Sequence, residues 1–194
     1  MKSYRVPAMR TPLIHIYCGL PASGKTTAAK ELAAQAAGMM RRVNLDDLRA
    51  MLDPPAPNGR PLWSHAHEHT TETIQIAAIR AAVLDGYDVV IDDTNLRPHN
   101  PTRIKNAVGR IAWFVVHDLT TVPIEECIRR DAQRTDPVGE RVIRNMAADH
   151  AEALASGWPG LTSEWMNDQH AAAAGGVRWA RTYLTAPTDE DDAA

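Results

Sequence analysis

Residues 13–37 read LIHIYCGLPASGKTTAAKELAAQAA, and this stretch decides the architecture. The first six residues are mostly apolar and end at a glycine, the signature of a short buried strand. Residues 26–37 are alanine-rich, form a strong helix signal and close on Gly38. Between strand and helix, residues 19–26, GLPASGKT, match GxxxxGK[ST] in the setting that this pattern needs. Glycines let successive backbone N–H groups turn inward around phosphate oxygens, at the positive end of the following helix. The loop residues Pro21, Ala22, Ser23, Gly24, Lys25, Thr26 and Thr27 are therefore expected to bind ATP or another NTP. Lys25 would reach the β- and γ-phosphates, and the Thr26 hydroxyl would hold Mg²⁺. At background composition the pattern arises by chance in under about 1% of chains of this length.

Outward from this unit, the pattern predicts strands at 40–43, 87–91 and 111–117. Helices are expected at 46–52, 64–84, 98–108, 123–133 and 138–154, with a break at DPPAPNGRP, 53–61. Strands alternating with helices define an α/β fold, a doubly wound parallel sheet of four to five strands with helices on both faces and a helical lid. A single domain is expected over 1–184. Residues 185–194, with four acids, a proline and small residues, are expected to be disordered. Residues 156–184 show no clear periodicity; Trp158, Trp165 and Trp179 within them are assigned to core packing, whereas Trp63 lies in a loop expected to border the ligand cleft.

The 194 residues, 44% hydrophobic and 23% charged, suit one soluble domain. Removing the four acids at 189–192 turns the formal net charge from −3 into +1, which excludes a strongly basic nucleic-acid coat but leaves room for an arginine-lined cleft. No apolar run reaches the roughly 18 residues of a membrane span, and the start MKSYRVPAMRTP has no signal-peptide core, so a cytoplasmic protein is expected. Cys18 and Cys127 have no metal-site or CxxC spacing and read as buried free thiols. Of His65, His67 and His69, only His65 and His69 would share a helix face, and no third ligand is spaced to complete a metal site.

Three polar clusters bear on what a bound nucleotide would be for. Asn44-Leu45-Asp46-Asp47-Leu48-Arg49 follows the second strand, where carboxyl ends of strands line the ligand crevice. Asp46 there suits accepting a proton from an attacking hydroxyl, and Arg49, three residues on, would share its helix face and meet a neighbouring phosphate of the acceptor. Asp92-Asp93-Thr94-Asn95 ends the third strand, and either aspartate could order Mg²⁺ and its waters. Arg129, Arg130 and Arg134 fall in a predicted helix after the fourth strand. Arg130 and Arg134, at i and i+4, would embrace an anion as lid arginines do.

Taken in order, GLPASGKT, VNLDDLR, VVIDDTNL and RRDAQR resemble the kinase module of the polynucleotide 5′-hydroxyl kinases of phages and bacterial RNA-repair systems, over residues 13 to about 154. The resemblance implies Lys25 and Thr26 on ATP and Mg²⁺, Asp46 as general base, and Arg134 on the transferring phosphate; Arg130, by its spacing from Arg134, is expected at the nucleotide. It further implies Arg49 and the Asp93-Thr94-Asn95 turn at the substrate nucleotide, with 5′-hydroxyl DNA or RNA ends as acceptors and a ligase acting on the product. The DxDxT motif of the fused 3′-phosphatase that some relatives carry is absent from this sequence, so a kinase-only enzyme is expected. A small-molecule or aminoacyl-tRNA kinase is the nearest alternative. An NTP-hydrolysing switch is a third, weakened by the absence of an NKxD guanine motif.

Overall fold

The computed structural model describes residues 10–53 and 64–173. The expectations for Trp63, Trp179 and the acidic tail lie outside these residues. No helix among the described residues is long and apolar enough to cross a membrane.

The apolar run forms β1 (Leu13–Cys18), and the alanine-rich segment forms α1 (Lys25–Gln35). β2 (Met40–Arg42), α2 (Leu45–Leu52), α3 (His65–Leu84), β3 (Asp88–Ile91), α4 (His99–Val108), β4 (Trp113–Asp118), α5 (Ile124–Asp131) and α6 (Glu140–Ala155) follow. The four strands pair in the order β2-β3-β1-β4, all parallel, in register Ile14 with Val89 and Ile14 with Phe114. This is the doubly wound α/β architecture that the alternating pattern requires. β3 lies inside the sheet and is buried on both faces, hence the continuous DVVI.

Period-two alternation along β1 divides the interior. Ile14, Ile16 and Cys18 enter the larger core with Ile79 of α3, Ile104 of α4, Phe114 and Ile143 of α6. Tyr17 faces the other side with Ala29 of α1, Met40 and Val90. Small residues along α1 allow close approach of that helix to the sheet.

Two short helices, α7 (Ser163–Met166) and α8 (Asp168–Ala173), complete the described chain. They occupy the stretch in which the sequence shows no periodicity. Tertiary contacts hold them: Asn167 brackets Phe114, accepting from its N–H at 2.9 Å and donating to its carbonyl at 2.9 Å. Lys105 Nζ donates to the Trp165 carbonyl at 2.7 Å and to Asp168 at 2.6 Å. Trp158 and Met166 are buried in the larger core, as expected for Trp158. Cys18 and Cys127 are free and buried, and burial pushes the Cys18 thiol up to about 12.

The predicted helix 123–133 ends earlier, at Asp131. The buried Asp131 carboxylate accepts from Val138 N–H at 3.3 Å and Gly139 N–H at 2.8 Å, turning the chain back onto the helix end. Arg134 therefore stands in the turn beyond α5. The expectation that Arg130 and Arg134 share a helix face is corrected: they sit on different segments.

Candidate active site

The loop between β1 and α1 needs backbone that ordinary residues avoid. Gly24, immediately before α1, has φ +106°. At Gly19, φ +153°, a Cβ would lie 2.8 Å from Ser23 Oγ and 3.2 Å from the Leu119 backbone, so only glycine fits without displacing the neighbouring β4–α5 connection. Ala22, at φ +62°, completes the inward curl of the loop. Lys25 is buried, and its ammonium donates to the Gly19 carbonyl at 2.8 Å, the Leu20 carbonyl at 2.7 Å and Ser23 Oγ at 3.4 Å. Burial lowers its pKa to about 8. Thr26 and Thr27, one position further, are exposed at the positive end of α1. Curl, inward lysine and open hydroxyl fit a nucleotide polyphosphate with Mg²⁺ on Thr26.

The end of β3 is bolted to this loop. Thr94 O accepts from Gly19 N–H at 3.0 Å, and Asn95, at φ +46°, donates from Nδ2 to the Tyr17 carbonyl at 2.8 Å. Asn95 Oδ1 accepts from Asn100 at 3.0 Å. Asn95 is buried, and its side-chain amide is engaged by the Tyr17 carbonyl and Asn100. Asp93 is placed similarly. It accepts from Leu45 N–H at 2.8 Å, Gln75 Nε2 at 2.5 Å and Asn44 Nδ2 at 3.3 Å, tying α2 to α3. Desolvation, opposed by these hydrogen bonds, raises its pKa to about 6. Asp92 is buried, accepting from Arg42 Nη2 at 2.8 Å and Asn44 Nδ2 at 3.2 Å. Both aspartates thus fasten the second strand's exit to the third.

That fastening aims α2. Asn44 is its N-cap, accepting from Asp47 N–H at 3.1 Å. Asp46 falls in the first turn with its side chain 84% exposed, and Arg49, one turn on, donates to Asp46 Oδ1 at 2.5 Å. Arg49 also grips Glu68 of α3, through Nε to Oε2 at 2.9 Å and through Nη2 to Oε1. Above the loop, Arg130 Nη1 donates to the Ser23 carbonyl at 3.5 Å, and its Nε pairs with Glu126 at 2.6 Å. Arg129 and Arg130 together hold the Glu126 carboxyl down at about 2. Arg134, half exposed, pairs with Asp131 at 3.5 Å. The structure thus joins the loop to the Asp92-Asp93 strand end and to Arg130, pairs Asp46 with Arg49, and leaves Arg134 on a separate turn.

Glu68 and Gln75 carry no sequence motif. Gln75 nevertheless falls in one helical row with Thr71 and Ile79, all buried, and a glutamine in the apolar row of a helix is the signal that could have marked it.

Sheet order, strand-to-helix loop and inward lysine are those of the P-loop kinase fold. A family model described as an AAA domain matches residues 14–153, and the chain belongs to this family. It is similar to an L-seryl-tRNA(Sec) kinase of Methanococcus maripaludis, 23% identical over 134 residues that cover 69% of this chain and 51% of that protein. Among solved structures it resembles a chain of the Pnkp1/Rnl/Hen1 RNA repair complex, with TM-score 0.63 and 22% identity, covering 81% of this chain and 50% of that one. It also resembles the Mycobacterium tuberculosis APS kinase CysC in complex with AMPPNP and APS, with TM-score 0.50 and 17% identity, covering 63% of this chain and 70% of that one. The chain spans about half the length of the first two of these relatives.

Proposed function

We propose that the protein is a polynucleotide 5′-hydroxyl kinase, transferring the γ-phosphate of ATP to the 5′-hydroxyl of a DNA or RNA end. The observation that carries this reading is the Asp46–Arg49 pair. An exposed carboxylate and a guanidinium stand one helical turn apart, on a helix fastened to the end of the strand whose next residues bolt onto the phosphate loop. A proton acceptor beside an anion reader fits a hydroxyl with a phosphate a few bonds away, as at the end of a nucleotide chain. A small sugar or nucleoside hydroxyl without that phosphate would leave the remaining Arg49 donors, beyond those given to Glu68 and Asp46, without an anion to read.

In this reading Asp46 takes the hydroxyl proton as the oxygen forms its bond to the γ-phosphorus, the bond from that phosphorus to the β-bridging oxygen breaks, and ADP leaves. Lys25 neutralises the charge gathering on the phosphates. Arg130, already at the loop, approaches the nucleotide, and Arg134 reaches the transferring group from the turn beyond α5. Thr26 would hold Mg²⁺, which when bound neutralises the β- and γ-oxygens. The Asp93-Thr94-Asn95 turn, which the Thr94 carbonyl joins to Gly19 of the loop, belongs to the acceptor in the same reading. A single domain, a cytoplasmic location and a ligase consuming the 5′-phosphate belong to the same proposal, the last supported by likeness to a chain from a repair complex that also contains Rnl and Hen1.

The curated relative favours a second reading, phosphorylation of an aminoacyl-tRNA. Incubation with labelled ATP and 5′-hydroxyl RNA, 5′-hydroxyl DNA, nucleosides, seryl-tRNA and APS separates the two. Label on the oligonucleotide 5′ ends is the expected result; label on seryl-tRNA alone establishes the second reading.

A further inference from the structure

Arg49 is shared between two carboxylates in an unequal way. A guanidinium has five N–H donors in a fixed plane. Glu68 takes two of them, from Nε and Nη2, as a fork on one edge, while Asp46 takes one, from Nη1. Two donors remain for an anion. The Glu68 and Arg49 side chains are only 22% and 26% exposed, against 84% for Asp46, so the fork to α3 is the sheltered half of the arrangement and the contact to Asp46 the open half.

This inequality has a chemical consequence. Asp46 and Arg49 are at i and i+3, a spacing that allows the arginine to seize its neighbour's carboxylate on its own. Freed from Glu68, the forked edge would turn to Asp46, the stronger bidentate form of an arginine–carboxylate pair, and occupy both of its oxygens. We propose that Glu68 is a positioning residue. By holding the fork of Arg49 it limits Asp46 to one N–H and keeps the second carboxylate oxygen open for the acceptor's proton, with two guanidinium donors left for the acceptor's phosphate. The inference rests on the reading of Asp46 as proton acceptor. Glu68 also brings negative charge close to the phosphate position, so it favours turnover at a cost in acceptor affinity.

Steady-state kinetics with ATP and a nucleoside 3′-monophosphate test this in the full chain. Glu68→Gln keeps the side-chain length but offers one acceptor where the fork needs two. It is expected to lower kcat about tenfold while leaving the KM for the nucleotide unchanged or lower, a split that loosened packing would not produce. In an Asp46→Asn background, where no proton acceptor remains to be kept open, the same change should cost less than about twofold. Glu68→Ala should behave alike. An equal loss in both backgrounds, a raised KM with unchanged kcat, or wild-type kcat in both Glu68 variants while Asp46→Asn is crippled overturns the role of Glu68 alone. Wild-type turnover in Asp46→Asn removes the proton-acceptor reading itself, and the Glu68 inference with it.

Discussion

The two halves of the site are built from different materials. The donor half is backbone: three left-handed or extended turns at Gly19, Ala22 and Gly24, and a buried lysine whose ammonium is satisfied by two loop carbonyls and Ser23. The half proposed for the acceptor is side chain: Asp46, Arg49 and Glu68 meet through partly exposed ion pairs. The backbone of the first is fixed by sterics, since a Cβ at Gly19 would collide with Ser23 and press on Leu119. The second can exchange partners, because an incoming phosphate competes for the same donors as the two carboxylates. Such a division suits one invariant substrate, a nucleoside triphosphate, opposite a second that varies.

The largest effect is expected where the rigid half loses its charge. Lys25→Ala should lower kcat/KM by about 100- to 1,000-fold and weaken nucleotide binding, since the ammonium is the buried cation of the loop. Normal nucleotide affinity and rate in that variant would show that the loop does not hold a polyphosphate. Asp46→Asn belongs to the other half and should separate the two, cutting turnover roughly 100-fold while equilibrium nucleotide binding stays nearly intact. Turnover within threefold of wild type would break the comparison, leaving the acceptor half without a proton acceptor. Smaller and more selective is Arg49→Ala. One charge-assisted contact contributes about 1.5–3 kcal/mol, so roughly 10- to 150-fold in catalytic efficiency should be lost on a nucleoside 3′-monophosphate and little on the bare nucleoside. Equal penalties on the two acceptors would mean that Arg49 reads no phosphate, and a small-molecule kinase would then explain the site better.

The same division explains what the sequence could tell. The loop is legible because its chemistry is local: strand, glycines, lysine and helix are contiguous, and each is required by the backbone. The Asp46–Arg49 pair is legible because helical spacing alone brings the two together. The partners of Asp93 and Asn95 are not legible because they come from elsewhere, Gln75 and Leu45 for the first and Tyr17 for the second; nothing in DDTN says which way each carbonyl, amide or carboxylate turns. Arg134 leaves the helix for a similar reason, the capture of Val138 and Gly139 N–H groups by Asp131 across a turn. Helices α7 and α8 are too short for propensity to mark and depend on Lys105 and Phe114 for their place.

The finest test addresses the state of the donor half before any nucleotide arrives. Burial holds Lys25 at about 8, well below the ordinary lysine value of 10.5, because the folded protein resists a charged group removed from water. A polyphosphate placed against that ammonium favours the charged form and raises the value. Between the free and bound values the complex therefore carries more protons than the separate partners, so binding takes up a proton and affinity falls as pH rises through about 8. From pH 7 to 9 the loss from this group should approach tenfold, limited to a factor of ten for each unit above the free value. Isothermal titration with an unhydrolysable ATP analogue at pH 8.5, in two buffers of different ionisation enthalpy, measures the uptake directly. More than half a proton is expected for the wild type and close to none for Lys25→Met, whose side chain has the bulk without the titrating group. Equal uptake in both proteins would assign the proton to the nucleotide or to another residue, and the lysine of the loop would then be charged throughout, held by its carbonyls and not awaiting a phosphate.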